Sequence, residues 1–173
     1  MNAPQVMGLD PSLTATGLAF PAGTAHTRKP PDGLAGMARI AWHLDRLFEA
    51  NWIHGTDLVV VEGYSFSSKG NATRDLAELG GVIRYTLWRN GKRWADVPPP
   101  TLKIFATGKG TCDKTAMVVA ARERLGYDGL SGDEADALWL RELGLHLLDH
   151  PTVKLPLTHL RALPGAALHE PPT

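Results

Sequence analysis

The chain has one cysteine, no net charge and no long hydrophobic run. With Cys112 as the single cysteine of 173 residues, an internal disulfide framework and a cysteine-based zinc site are excluded. No apolar run approaches the roughly 20 residues of a membrane-spanning helix. The N-terminus also lacks the basic and then apolar pattern of a signal peptide. We therefore expect a soluble intracellular protein with no membrane partner.

Charge is balanced overall but unevenly distributed along the chain. There are 18 basic and 18 acidic residues in total. The segment 69–114, however, holds nine basic residues against four acidic ones and carries a net charge of +5, so the remaining residues are net acidic. This asymmetry permits a local face for a polyanion such as nucleic acid, although solvated helix surface accounts for part of it.

Hydrophobic periodicity predicts one α/β domain. Strands are predicted over 6–10, 14–20, 23–28, 57–62 and 93–97, and helices over 34–52, 71–87, 101–106, 113–125 and 133–148. This order, a hairpin meander followed by βα units, predicts a sheet of five strands covered by helices. The domain occupies residues 1–150. Residues 151–173 contain five prolines and no periodicity, so we expect an irregular tail.

Four carboxylates stand at the ends of predicted elements. Asp10 ends the first apolar run, and Glu62 ends the fourth strand, where the ligand sites of open α/β sheets gather. Asp133 and Asp136 share one face of the first turn of the last helix. Taken singly, Asp10 also suits a turn, and Asp133 and Asp136 also suit a helix N-terminus. Together, four converging carboxylates are costly unless protonated or bound to cations, and oxygen-only ligands select Mg²⁺ or Mn²⁺.

An ordered set of motifs resembles that of the RuvC-type Holliday junction resolvases, which have the ribonuclease H-like fold. The motifs are MGLDPSLTATGLAF, VVVEGYSF, GNATRDLAELGGVIRYTL, PPPTLKIFATGKGTCDKTAM and GDEADALWL, and they run from about Gln5 to about Leu148. The resemblance implies a mixed sheet, an antiparallel meander followed by parallel strands. It also implies a homodimeric, metal-dependent endonuclease that makes paired nicks in four-way or other branched DNA, leaving 5′-phosphates.

Site residues follow from the same resemblance, position by position. The catalytic, metal-binding residues are implied to be Asp10, Glu62, Asp133 and Asp136, with two Mg²⁺ or Mn²⁺ ions per active site and no nucleotide cofactor. Two-ion sites of this kind hydrolyse phosphodiesters without a serine or cysteine nucleophile. With no segment evident for docking a partner protein, a phage or mobile-element origin is suggested, which would place the protein in the host cytoplasm.

DNA contacts are implied for the basic segment and for the loop after Glu62. In the family, lysines at positions that correspond to this segment contact or neutralise phosphate. The resemblance therefore implies phosphate contacts for Lys103, Lys109 and Lys114. Tyr64 and Phe66 occupy the loop where the family carries an aromatic that probes unstacked bases, and the sequence leaves open which ring is exposed. The helix beginning near residue 71, with paired glycines at 80 and 81, is the candidate dimer surface.

Several competing motifs fail. The sequence at 63–67 lacks the final glycine of a nucleophile elbow, and 107–111 lacks the upstream glycine of a P-loop. His146 and His150 lie one helical turn apart, but no third metal ligand is evident, so we expect surface histidines.

Two other functions compete with the endonuclease. An actin-like or sugar-kinase ATPase has a phosphate loop similar to 10–17, but it needs two such domains, for which 173 residues are too few. A non-cleaving protein of the same fold that binds branched DNA is expected to lack one or more of the four carboxylates. All four are present, which favours the nuclease.

Overall fold

The computed structural model describes residues 3–48, 55–63 and 71–171, without the side chains of 71–73. The strands are β1 Val6–Asp10, β2 Thr16–Ala19, β3 Ala25–Arg28, β4 Leu58–Glu62, β5 Trp94–Val97 and β6 Ala167–His169. The helices are α1 Gly36–Phe48, α2 Asn71–Arg89, α3 Pro99–Thr107, α4 Lys114–Leu125, α5 Gly132–Leu147 and α6 Leu157–Leu160, with a 3₁₀ turn at Leu163–Gly165. Within these ranges, no helix has the length and apolar character to cross a membrane.

The strands form one mixed sheet in the order β3-β2-β1-β4-β5-β6. β1, β2 and β3 are an antiparallel meander, while β4 runs parallel to both β1 and β5. The predicted arrangement of a meander followed by parallel strands is thus confirmed. The predicted count of five strands is wrong, because β6 pairs antiparallel with the edge of β5.

The C-terminal segment is more ordered than the sequence predicts. An irregular tail is wrong for residues 157–169, which form α6, the 3₁₀ turn and β6. The three residues of β6 carry no strand pattern of their own and are held by contacts with β5. The ring of His169 stacks on Trp94 with centroids 4.7 Å apart, and Arg93 forms an ion pair with Glu170 at 2.8 Å.

Helices cover both faces of the sheet, and alternate strand residues serve each face. Val6 and Val60 pack in a cluster with α3, α4 and α5, whereas Leu9 and Val61 pack with α1 and α2. Successive side chains of a strand point to opposite faces. Asp10 and Glu62 therefore point to the same side as Val6 and Val60, which is the side that α5 covers.

Glycines allow α5 to lie directly on the sheet. A Cβ on Gly8 would overlap the backbone carbonyl of Ala137, and a Cβ on Gly17 would overlap that of Asp133. Farther along the helix, a Cβ on Gly144 would lie 2.7 Å from a methyl group of Val6. Glycine within a strand often marks the close approach of another backbone. These positions set the height of α5 above the strands that carry the carboxylates.

Candidate active site

The two strand carboxylates lie side by side. β1 and β4 are parallel neighbours, so the carboxyl ends that carry Asp10 and Glu62 meet at one edge of the sheet. Their side chains share a hydrogen bond, which requires that one carboxyl group hold a proton. Asp10 is only 7% exposed.

The helix carboxylates join them from above. Helix α5 begins at Gly132 after the cap residue Ser131, whose hydroxyl accepts a hydrogen bond from the backbone N–H of Glu134 at 3.3 Å. Asp133 therefore lies in the first turn of the helix, as predicted, whereas Asp136 lies just beyond that turn, three residues farther along the same helix. Because the start of α5 rests on Gly17, which pairs with Asp10 across the β1–β2 ladder, this turn stands over the end of β1.

Burial and mutual repulsion raise the pKa values of three of these carboxyls. Burial is the largest cause in each case: the pKa of Asp10 rises to about 6, that of Asp136 to about 7 and that of Glu62 to about 10. The negative charge of Asp10 further raises the pKa of both Glu62 and Asp136. Buried like charges are stabilised by protons or by cations.

Lys114 supplies a positive charge to this cluster. Its ammonium forms an ion pair with Asp133, with Nζ and Oδ1 2.9 Å apart, and this hydrogen bond raises the pKa of the lysine. The same charge opposes the upward shifts of the pKa values of Asp10, Glu62 and Asp136. One lysine thus partly offsets the repulsion among four carboxylates.

The donor set has the chemistry of a site for hard divalent cations. The side-chain donors of the cluster are carboxylate oxygens, which Mg²⁺ and Mn²⁺ prefer. The Oδ1 atom of Asp136 is buried and has no hydrogen-bond donor in the part of the chain that the structure describes. In that same part, no group of three or more His, Cys, Asp or Glu side chains is arranged to hold a metal ion as it stands.

Two existing contacts engage carboxylate oxygens of the cluster. The Asp10–Glu62 hydrogen bond and the Asp133–Lys114 ion pair engage oxygens that a cation would use. Both contacts lower the repulsion of a cluster without a cation. A divalent ion would make them unnecessary, because it replaces both the shared proton and the ammonium charge.

The predicted DNA-binding residues differ in their relation to the cluster. Lys103, in α3, lies close enough to lower the pKa of Asp136, and Lys114 contacts Asp133 directly. Lys109 is exposed in the turn after α3, where its N–H donates to the hydroxyl of Thr107 at 3.3 Å. Tyr64 and Phe66 fall outside the described residues.

The tail holds the end of α3, a role that the sequence did not reveal. The Nδ1–H of His159 donates to the carbonyl oxygen of Phe105 at 2.9 Å, and Arg161 donates to that of Gly108 at 3.3 Å. Gly108 adopts the left-handed conformation (φ 79°) that ends the helix. The tail thereby fixes the turn that carries Lys109.

The prediction of two surface histidines is wrong for one of them. The side chain of His146 is only 8% exposed, and its ring packs edge-on against Phe105 at 5.2 Å between centroids. Its place on the buried face of α5 accounts for this, whereas His150 lies beyond the helix and is exposed.

Helix α2, the predicted dimer surface, has one buried and one exposed side. Leu79, Ile83 and Leu87 are buried against the sheet. Tyr85 and Trp88 are exposed and stack on each other with centroids 6.1 Å apart.

Comparison with known proteins supports the resemblance in sequence and in fold. No protein-family model matches the chain. The crossover junction endodeoxyribonuclease RuvC of Gloeobacter violaceus is 29% identical over 148 residues, which cover 78% of this chain and 83% of that protein.

Two solved structures of Thermus thermophilus RuvC have the same fold. The first covers 84% of this chain and 97% of its own, with a TM-score of 0.66 and 18% identity. The second, a complex with a Holliday junction substrate, covers 80% of this chain and 90% of its own, with a TM-score of 0.67 and 19% identity. The predicted resemblance to RuvC-type proteins and the predicted fold are confirmed.

Proposed function

We propose that this chain, a RuvC-like protein in sequence and fold, is a divalent-metal-dependent endonuclease that resolves four-way DNA junctions. The observation that carries the proposal is the convergence of four carboxylates from β1, β4 and α5 at one sheet edge. The Gloeobacter relative is named as a crossover junction endodeoxyribonuclease, and a Thermus relative was solved with a Holliday junction. Other branched DNA belongs to the same substrate class.

Asp10, Glu62, Asp133 and Asp136 would hold two Mg²⁺ or Mn²⁺ ions. Bound there, such ions supply an activated water and stabilise the leaving 3′ oxygen of an in-line displacement at phosphorus. The products are a 5′-phosphate and a 3′-hydroxyl. No protein nucleophile is needed.

To hold these ions, the carboxylates would have to give up a proton and an ion pair. The proton shared by Asp10 and Glu62 leaves, because metal ligands bind in their deprotonated form. Asp133 releases Lys114, whose exposed ammonium becomes free to contact a DNA phosphate beside the site. Lys103, which is near Asp136, would contact the same strand.

Paired nicking calls for two such sites. A four-way junction presents two equivalent strands, so a C₂ dimer with both sites facing the DNA suits paired cleavage. Among the described residues, nothing lies within 4 Å of the position of a Cβ at Gly81, on α2, which leaves room for a second copy to approach the helix closely. Tyr85 and Trp88 supply exposed aromatic area on the same helix. Sedimentation of monomer alone at micromolar concentration, even with junction DNA, would count against this dimer.

A cleavage assay tests the function directly. The wild type with Mg²⁺ should nick a four-way junction at opposed strands and leave a linear duplex of the same sequence intact. Asp10→Asn should bind the junction but not cut it. Tight junction binding without cleavage by the wild type, across Mg²⁺ and Mn²⁺, would instead establish the non-cleaving alternative. An absence of junction binding would overturn both.

A further inference from the structure

A closed network of hydrogen bonds surrounds Glu134, the residue that follows Asp133. Both carboxylate oxygens of Glu134 accept from hydroxyl groups: Oε2 from Tyr127 at 2.8 Å and Oε1 from Thr27 at 3.1 Å. Thr27 also lies 3.1 Å from the hydroxyl of Ser131. The backbone N–H of Ser131 donates to the Tyr127 oxygen at 3.0 Å. Strand β3 and the loop that leads into α5 are thus both tied to the first turn of the helix.

Every proton in this network has a place. The hydroxyl of Ser131 donates to Thr27, and the hydroxyl of Thr27 donates to Glu134. The hydroxyl of Tyr127 donates to the other oxygen of Glu134 at 2.8 Å, a shorter contact than its 3.2 Å to the carbonyl oxygen of Ser131. The backbone N–H groups of Ser131 and Glu134 donate to the Tyr127 and Ser131 oxygens respectively. Satisfied, partly buried networks of this kind specify one arrangement of the elements that they join.

The network also completes the start of α5 in a way that the sequence does not predict. A capping box would have the side chain of Glu134 accept from the backbone N–H of Ser131. Here Tyr127 stands between them, accepting from Ser131 and donating to Glu134. The carboxylate of Glu134 is thereby freed to reach Thr27 on the sheet.

Sheet register places the network beside the catalytic carboxylates. Asp10 pairs with Gly17, and Gly17 pairs with Thr27, so the three residues form one row across β1, β2 and β3. Directly opposed residues of antiparallel strands point to the same face. The helix rests on the middle of this row, where the carbonyl of Asp133 covers Gly17, and it is bonded at one end through Thr27.

We propose that Thr27, Tyr127 and Glu134 are positioning residues that hold the first turn of α5 so that Asp133 and Asp136 face Asp10. The inference rests on the proposed function, since it concerns the placement of the metal-binding carboxylates. Glu134 itself is not one of these ligands, because it is bonded to Thr27 at the β3 end of the row, whereas Asp10 lies at the β1 end. Partners of this kind around metal ligands typically affect metal affinity or activity by about 10- to 100-fold.

Two nearly isosteric variants remove one donor each. Tyr127→Phe and Thr27→Val should each weaken Mn²⁺ binding, measured by calorimetry without DNA, by roughly tenfold. The Mg²⁺ concentration for half-maximal cleavage should rise in parallel. Junction affinity without metal should stay unchanged, because neither variant alters a basic residue. Thr27→Ser keeps the hydroxyl and should restore Mn²⁺ affinity.

Helix α5 offers a matched control at its other end. There the buried carboxylate of Glu142 accepts from the backbone N–H of Thr152 at 2.9 Å and also from the hydroxyl of that threonine. Thr152→Val removes the same kind of threonine-to-glutamate bond from the same helix, two turns away from the site. It should lower thermal stability and leave Mn²⁺ affinity unchanged.

The outcomes separate this inference from the proposed function. If the wild type binds Mn²⁺ and cleaves junctions while Tyr127→Phe and Thr27→Val bind Mn²⁺ equally well, the network is only structural and the inference is wrong. The inference is equally wrong if Thr152→Val weakens Mn²⁺ binding as much as they do. A wild type that binds no Mn²⁺ and cuts no junction overturns the proposed function, and the inference with it.

Discussion

The backbone of Gly17 touches the backbone carbonyl of Asp133, with no room for a side chain between them. Strand β2 and the first turn of α5 therefore meet at the closest distance that two backbones allow. Because Gly17 also pairs with Asp10, this contact sets the separation between the strand and helix carboxylates. The active-site geometry thus depends on a residue that carries no functional group.

Gly17→Ala should move the start of α5 away from the sheet. The inserted methyl group meets backbone, which cannot rotate away, so we expect a loss of about 1–3 kcal/mol of stability in chemical denaturation. Cleavage should fall by about 100-fold, since a misplacement of about 1 Å has that effect on catalytic geometry.

Gly55→Ala is the control for that change. In the part of the chain that the structure describes, a Cβ at Gly55 meets nothing within 4 Å, so the effect on stability should stay within about 0.5 kcal/mol. Equal cleavage by Gly17→Ala and the wild type would show that the contact is dispensable.

Asp136→Asn should stabilise the metal-free protein at neutral and higher pH. Burial raises the pKa of Asp136 from 3.8 to about 7, so the folded state keeps a proton that the unfolded chain has released. The resulting stabilisation is present at low pH and is lost as pH rises from about 4 through about 7. The asparagine of the variant does not ionise, so the variant keeps its stability as pH rises. Its melting temperature should therefore exceed that of the wild type at pH 8 and match it below pH 4.

Burial lowers the pKa of His43, so this residue makes stability rise with pH in both proteins. Its contribution therefore cancels when the stability of the variant is compared with that of the wild type. Asp45→Asn, an exposed change on α1, serves as the control and should leave the curve unchanged. A difference between Asp136→Asn and the wild type that is constant from pH 4 to 8 would contradict the prediction. The variant should also lose Mg²⁺-dependent cleavage.

Lys114→Ala should weaken binding to junctions of any sequence. If the lysine contacts one phosphate, its removal should reduce the slope of log affinity against log salt by roughly 0.9. Binding titrations in Mg²⁺ between 50 and 200 mM salt, with a junction whose scissile linkages resist hydrolysis, measure both effects. Lys154→Ala, an exposed lysine outside the basic segment, should change neither. Unaltered affinity and slope for Lys114→Ala would show that the lysine contacts no phosphate and serves only in its ion pair with Asp133.

His159→Ala should loosen the end of α3. The variant leaves the Phe105 carbonyl without its donor and opens space beside Gly108, so we expect a loss of about 1–3 kcal/mol in stability. Amide exchange at residues 105–110 should accelerate, and junction affinity should fall because the turn carrying Lys109 is less ordered. His150→Ala, on the exposed residue after α5, should show neither change. Exchange as slow as in the wild type would mean that the tail does not order this turn.

Local sequence is enough to predict the order of the ten elements from β1 to α5 in outline. It also predicts the positions of the four carboxylates along them. The patterns that carry this information are the β-branched run ending at Glu62, Asp113 capping α4, and Gly126 ending it in the left-handed conformation (φ 69°). Each of these patterns involves only residues of a single helical turn or a single strand, so neighbouring residues suffice to predict it.

Contacts between distant segments arise only when the chain folds. β6 exists because the edge of β5 binds it, and no strand pattern marks it. Tyr127 enters the cap of α5, and Thr27 reaches Ser131 and Glu134, which lie 104 and 107 positions farther along the chain. Sheet register decides such pairs, and a slip of one residue would turn Thr27 to the other face. Side-chain packing across the whole sheet sets that register, which local patterns do not encode.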